Sequence, residues 1–241
     1  IKKLFFAMLA ITGSMLFGSN AQAQNPKHEF RGAWMHTVGQ MQYSHMTTEQ
    51  NQAYLRNQPD SLQLAGINAI VWQVRPKADA FYKSNFEPWS VYLTGTHGKE
   101  PVPYWDPLQF MIDECHSRGM ELHAWLNPYR VTNSKNELQK LSPDHIYHKH
   151  PEWFLVYANQ TYFDPGIPEC RQFICDVVRD IVSRYDVDAI HMDDYFYPYP
   201  TKDEFPDSTS YAKYGNGLDR GDWRRQNVDL LIEGLHEVLL Q

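Results

Sequence analysis

Residues 187 to 200 read Val187-Asp188-Ala189-Ile190-His191-Met192-Asp193-Asp194-Tyr195-Phe196-Tyr197-Pro198-Tyr199-Pro200. A short apolar run that ends in His-x-Asp-Asp, followed by tyrosines and prolines, has the pattern of a buried strand delivering carboxylates to a solvent-facing rim. In an α/β barrel the carboxyl ends of the strands and the loops after them carry the chemistry, so acidic groups placed there are functional candidates first. The plain alternative is that the aspartates cap the loop or balance a nearby arginine, a common use of Asp in turns. The aromatic side chains crowded around them favour a site.

Outward from this stretch, the chain from Phe30 onward alternates strand-like and helix-like signals, the βα pattern of a parallel sheet. Residues 30–38 form the first expected strand. Thr47 with Gln50 three residues on has capping-box spacing and opens a helix. Pro59 is expected to break or kink it into two pieces ending at Gly66. Residues 67–74 make the second strand, closed by Arg75-Pro76, and a long loop over 77–105, rich in Tyr, Trp, Pro and Gly, follows. Asp106 as N-cap with Pro107 at the first helical position starts a helix whose apolar positions are Leu108, Met111, Ile112 and Cys115, ending at Gly119. Residues 121–126 are the third strand, with Asn127-Pro128-Tyr129-Arg130 as its exit. After a second long loop, Pro168 and Glu169 open a helix with Ile174, Val177, Val178, Ile181 and Tyr185 on its apolar face. Residues 187–192 are strand four, and a last helix from about Asp222 is expected to bury Val228, Leu231, Ile232, Leu235, Val238 and Leu239.

Four βα units are half of an eight-fold barrel. The last apolar stripe runs to Gln241 without a stop signal, and the chain begins at Ile1 instead of Met. The expectation is therefore an α/β protein of (β/α)8 TIM-barrel type with about the first four βα units present, truncated at its C-terminus. The alternative is a complete doubly wound domain of four strands.

At the other end, Lys2 and Lys3 precede an apolar run over 4–17, and Ala21-Gln22-Ala23 supplies a small-x-small cleavage pattern. Residues 1–23 thus read as a signal peptide, and 24–241 as the barrel domain, exported to the periplasm or beyond. The run is shorter than the ~20 apolar residues of a spanning helix, so no stable membrane insertion is expected after cleavage. Without the leader, 20 basic residues face 29 acidic ones, a net charge near −9. That balance disfavours nucleic acid as a partner. Three cysteines, Cys115, Cys170 and Cys175, are too few for a disulfide framework and read as structural.

Seven separated segments, in order, resemble one known family: 30–34 (Phe-Arg-Gly-Ala-Trp), 66–76 (Gly-Ile-Asn-Ala-Ile-Val-Trp-Gln-Val-Arg-Pro), 79–82 (Asp-Ala-Phe-Tyr), 87–90 (Glu-Pro-Trp-Ser), 122–130 (Leu-His-Ala-Trp-Leu-Asn-Pro-Tyr-Arg), 150–153 (His-Pro-Glu-Trp) and 191–198 (His-Met-Asp-Asp-Tyr-Phe-Tyr-Pro). Together they resemble the bacterial glycosyl-hydrolase-like family 10 domain. The resemblance implies a (β/α)8 barrel, glycoside hydrolysis, bacterial cell-wall glycan as one substrate class, and a C-terminal half of the barrel absent here. A carbohydrate is the implied partner, and no cofactor is expected.

Strand period gives an independent reading. Side chains alternate, so His191 and Asp193 share one face while Met192 and Asp194 take the other. His123, Trp125 and Asn127 share a parity on strand three, as do Gln73 and Arg75 on strand two. Indole and phenol rings stack on sugar rings, and Arg, Asn, His and Asp bond hydroxyls. The expected substrate-binding set is Trp34, His36, Gln73, Arg75, Asp79, His123, Trp125, Asn127, Tyr129, Arg130, His191, Tyr195 and Tyr197. The bland reading of Trp34, Trp72 and Trp125 is core packing, preferred for Trp72. Glycoside hydrolysis uses two carboxyls about 5–5.5 Å apart for retention and roughly 6.5–9.5 Å for inversion. Neighbouring Asp193 and Asp194 point apart and do not make that pair. Asp193 is the expected nucleophile or stabiliser, with Asp194 and Tyr195 in support. Asp79, Glu152 and Asp164 are available as an acid, but each lies in a loop; by analogy with related barrels, the acid is expected on a later strand. Two other classes stay open: a metal-dependent hydrolase using His36, His123, His191 and Asp193, and a non-catalytic glycan-binding barrel.

Overall fold

Four parallel strands in the order β1-β2-β3-β7 form the backbone of the molecule, and a separate antiparallel trio, β4-β6-β5, lies within one of its connections. The elements run β1 (Gly32–Met35), α1 (Thr48–Leu64), β2 (Ala69–Arg75), α2 (Val91–Thr94), α3 (Pro107–His116), β3 (Glu121–Leu126), β4 (Arg130–Thr132), β5 (Phe154–Tyr157), β6 (Gln160–Phe163), α4 (Pro168–Arg184), β7 (Ala189–His191), α5 (Ser208–Tyr214) and α6 (Arg220–Leu239). This is a computed structural model that describes residues 29–194 and 196–241. The expected leader, 1–23, and Tyr195 lie outside the described residues. Among those residues no helix is long and apolar enough to cross a membrane.

Helix starts follow the local chemistry. Thr47 Oγ1 accepts from the Gln50 amide at 3.3 Å while Gln50 Oε1 accepts from the Thr47 amide at 2.9 Å, the reciprocal box expected. Asp106 Oδ1 accepts from the amides of Leu108 and Gln109 at 3.1 and 3.2 Å ahead of Pro107. Pro59 does not split α1, contrary to expectation. An interior proline costs about 3 kcal/mol, and here Leu55 and Pro59 lie on the buried face of one continuous helix, where packing offsets that cost. The last helix also departs from its expected stripe. It starts at Arg220, capped by Asp219, and buries Trp223, Asn227, Leu231, Leu235 and Val238, while Ile232 and Leu239 are exposed. Its contact with α4 is close: a Cβ on Gly234 would meet Cys175 Sγ at 2.9 Å.

Both long connections hold more structure than a loop. Residues 77–105 fold inward, with Phe81 and Tyr82 fully buried, Ser90 N–H bonded to the Ala80 carbonyl at 2.8 Å, and α2 inside the segment. The connection after β3 contains the β4-β6-β5 sheet. Its hairpin turns on Ala158 and Asn159, both in the left-handed region (φ 48° and 65°), the geometry of a two-residue type I′ turn.

The two faces of the parallel sheet differ. Ile70, Trp72 and Val74 of β2 and Leu122, Ala124 and Leu126 of β3 enter the core shared with Leu108, Ile112, Val177 and Ile181 of the covering helices. Trp72 is thus the core residue expected. Cys115, Cys170 and Cys175 are free and buried, small packing residues as read. The opposite phase carries Trp34 opposite Val71, and Gln73 opposite Trp125 opposite His191. One irregularity breaks this phase: Gln73 pairs with Trp125 but Arg75 pairs with Leu126, so two steps on β2 match one on β3.

Candidate active site

Asp193 stands just beyond the end of β7, exposed, and two side chains from the β3 end hold one of its oxygens. Trp125 Nε1–H donates to Asp193 Oδ1 at 2.7 Å, and Asn127 Nδ2–H reaches the same atom at 3.4 Å. Because both donors engage Oδ1, Oδ2 is left for a substrate. The Asn127 amide is itself oriented: its Oδ1 accepts from Arg130 at 3.0 Å and from Gln73 Nε2. Gln73 is fully buried, and its Oε1 accepts from the amides of Thr37 and Val38 at 2.9 and 2.8 Å. A directed chain therefore runs from the end of β1 through β2 and β3 to Asp193. Each amide has its acceptor end filled from behind, so its N–H end points forward.

Three rings form a wall beside this carboxylate. The centroids of Trp34 and Trp125 lie 6.1 Å apart, those of Trp34 and His191 5.5 Å, and those of Trp125 and His191 6.2 Å. Trp34 is 65 % exposed, an unusual state for an indole on a sheet and one suited to stacking on a ligand. Burial holds His191 below the ordinary histidine range; Asp193 pulls it up and His123 pushes it down. Its Nε2 is buried without a partner.

Parity thus brings together Trp34, Gln73, Trp125, Asn127, Arg130, His191 and Asp193, but not the whole expected set. Arg75 is a correction. The bulge moves it out of the phase of Gln73, and it is fully buried, its guanidinium bonded to both oxygens of Glu87 at 2.6 and 2.7 Å and to the Asn127 and Pro128 carbonyls. Four of its five N–H groups are thus engaged, and at 0 % exposure the side chain is closed off from a sugar. Burial pushes the Glu87 carboxyl upward, and the guanidinium opposes that push. Tyr129 is a second correction: it is 1 % exposed, its hydroxyl is unpartnered, and burial pushes its phenol well up. Asp79 is fully buried, with Oδ1 accepting from the Lys77 amide at 3.0 Å. His123 sits one pleat deeper than Trp125, its Nε2 2.8 Å from Glu121. His36 is exposed and bonds Gln40 at 2.5 Å. Tyr197 packs edge-on against Phe205, and its hydroxyl accepts from Asn227 at 3.1 Å. Asp194 is half-buried.

The alternative acids are engaged elsewhere. Glu152 bonds His150 at 3.1 Å, and Asp164, pushed up by burial, accepts from the Gly166 amide at 2.8 Å. His36, His123, His191 and Asp193 do not convene as ligands: among the described residues no group of three or more His, Cys, Asp or Glu is placed to hold a metal ion. Sequence reasoning missed Glu87 and Thr37 as supports, and only the family-like segment around Glu87 drew notice to that region.

A family model described as glycosyl hydrolase-like 10 matches residues 29–240. The chain is 45 % identical over 233 residues to glycosyl hydrolase YngK of Bacillus subtilis (strain 168), covering 94 % of this chain and 44 % of that protein. It is 37 % identical over 231 residues to glycosyl hydrolase DigH of Escherichia coli (strain K12), covering 88 % of this chain and 52 % of that protein. The chain spans about half the length of the curated relatives it matches. Among solved structures it resembles alpha-L-fucosidase isoenzyme 2 from Paenibacillus thiaminolyticus, with a TM-score of 0.55, 14 % identity, and coverage of 88 % of this chain and 30 % of that one. That likeness concerns fold alone, and agrees with four βα units of a (β/α)8 barrel. The motifs, the strand-end carboxylate and the match over 29–240 agree, and the chain belongs to the glycosyl hydrolase-like 10 family.

Proposed function

We propose that this chain supplies the substrate-binding wall and one catalytic carboxylate of an exported glycoside hydrolase, with bacterial cell-wall glycan as a substrate class. The observation that carries the reading is the grip on Asp193: an exposed carboxylate held through one oxygen by Trp125 and Asn127, beside the exposed Trp34. Fixed donors on Oδ1 leave Oδ2 aimed outward, where it attacks the anomeric carbon or stabilises an oxocarbenium-like transition state. Both donors are neutral, so they orient the carboxylate without cancelling its charge. Trp34 stacks on the sugar ring, and the proton for the leaving oxygen comes from a second carboxyl. Export rests on the leader-like residues 1–23.

The test is Asp193→Asn, assayed by release of reducing ends from purified cell-wall glycan and, in parallel, by glycan binding. The expected result is loss of turnover by at least about 1,000-fold, equivalent to roughly 4 kcal/mol, with binding retained. Wild-type turnover in the variant removes Asp193 from the mechanism. Binding without turnover by the unaltered protein would instead identify a glycan-binding barrel.

A further inference from the structure

A concavity on the molecule shares no lining residue with the Asp193 wall. Its volume is about 450 Å³, inside the range of roughly 300–1,000 Å³ typical of small-ligand pockets. It opens between the loops that follow the first three parallel strands: Met41 comes from the first, Lys77 to His97 from the second, and Val131 to Leu141 from the third. This is the face on which barrels bind ligands. The walls are apolar where Met41, Val91, Val131 and Leu141 contribute, and polar where Lys77, His97, Glu137 and Lys140 do.

The polar groups choose the ligand. Lys77 is 5 % exposed, bonds Glu137 Oε2 at 2.7 Å, and lies 4.8 Å from the centre of the Tyr92 ring. His97 Nδ1 accepts from the Ser142 amide at 3.0 Å, which places the proton of the neutral ring on Nε2, and that donor is buried without an acceptor. Asp79 Oδ2, two residues along the chain from Lys77, is a buried acceptor without a donor. Burial holds the His97 ring below the ordinary histidine range against the pull of Asp79. Of the two orphans only His97 lines the cavity, and a ligand hydroxyl supplies the acceptor that its Nε2–H lacks. Of the charged side chains that line the cavity, Lys77 is paired with Glu137, and Lys140 is exposed. With its buried lysine already paired and the other in solvent, the cavity holds no unpaired buried cation to draw in a phosphate or an acidic sugar, and the apolar walls suit the faces of pyranose rings.

We propose that this cavity is an accessory binding site for a neutral, hydroxyl-rich saccharide, separate from the Asp193 site. The proposal rests on the carbohydrate reading of the protein but not on Asp193 chemistry. It is therefore tested in an Asp193→Asn background, where loss of hydrolysis and loss of accessory binding are distinguishable. Titration calorimetry with a panel of neutral tetrasaccharides (cellotetraose, chitotetraose and xylotetraose), alongside an oligogalacturonide as acidic control, reads the affinity. Leu141→Trp fills the cavity from its half-exposed rim, and His97→Ala removes the donor; circular dichroism checks that each variant folds. At least one neutral tetrasaccharide should bind, and Leu141→Trp should weaken it at least tenfold, His97→Ala several-fold, with Trp34→Ala leaving that component unchanged. No neutral binding at millimolar concentration, binding indifferent to Leu141→Trp, or preference for the acidic control would each overturn the proposal.

Discussion

Two carboxylates separated by one strand of the sheet, Glu87 and Asp193, show how surroundings assign a role. Glu87 is buried and gripped at both oxygens by the charged fork of Arg75. Asp193 is exposed and gripped at one oxygen by the neutral donors of Trp125 and Asn127. The first arrangement consumes the charge and every lone pair facing the partner, leaving a strut between β2 and the segment after it. The second fixes position while leaving charge and one oxygen available. A polar residue at a strand end is therefore not functional by position alone; what counts is whether its partners cancel it or aim it.

The largest expected effect breaks the strut. Arg75→Ala leaves Glu87 buried without its counter-charge, an omission that costs about 3–5 kcal/mol, and chemical denaturation should show the midpoint falling accordingly. A stability change below about 1 kcal/mol would mean that the pair is no strut, and the contrast with Asp193 would collapse. Next comes the aiming. Trp125→Phe keeps the ring wall but deletes the Nε1–H bond to Asp193, an interaction to a charged group of about 1.5–3 kcal/mol where desolvated and less at this exposed rim. A roughly tenfold fall in kcat with little change in folding is the expected outcome, and an unchanged kcat would assign Trp125 to packing alone. The smallest effect concerns pH. The folded-state pKa of His191 is depressed below 6.5 by burial, so as pH falls through 6.5 the unfolded chain takes up a proton before the folded one does. Stability contributed by this site is thus complete above pH 6.5 and declines below it. Comparing His191→Gln with the parent across pH 7 to 5 should show a slightly flatter slope in the variant; a steeper one would reverse the sign.

These residues also show what the sequence made legible. The phase of β3 and β7 was readable because alternation holds without interruption from Trp125 to Asn127 and from His191 to Asp193, and the bond between Trp125 and Asp193 follows from it. The same rule misplaced Arg75 because a bulge between Gln73 and Arg75 leaves no mark in residue type. Caps at Thr47 and Asp106 were legible, since the bonding side chains lie within three residues of the amides they serve. The unbroken α1 was not, because what carries the helix through Pro59 is packing against distant parts of the chain. The β5–β6 hairpin escaped notice for a local reason: its turn uses Ala158 where glycine or asparagine is the usual signal.

The irregularity between Gln73 and Arg75 works as a phase shifter. One extra residue lets a single strand end serve two compartments in succession, an amide delivered to the relay behind Asp193 and, two positions later, a guanidinium locked in the interior. Register is consequently the property of this strand that is hardest to change. Were the pairing regular, Val74 would face Leu126 and Arg75 would return to the face of Gln73, sending a charge toward the relay and leaving Glu87 buried alone.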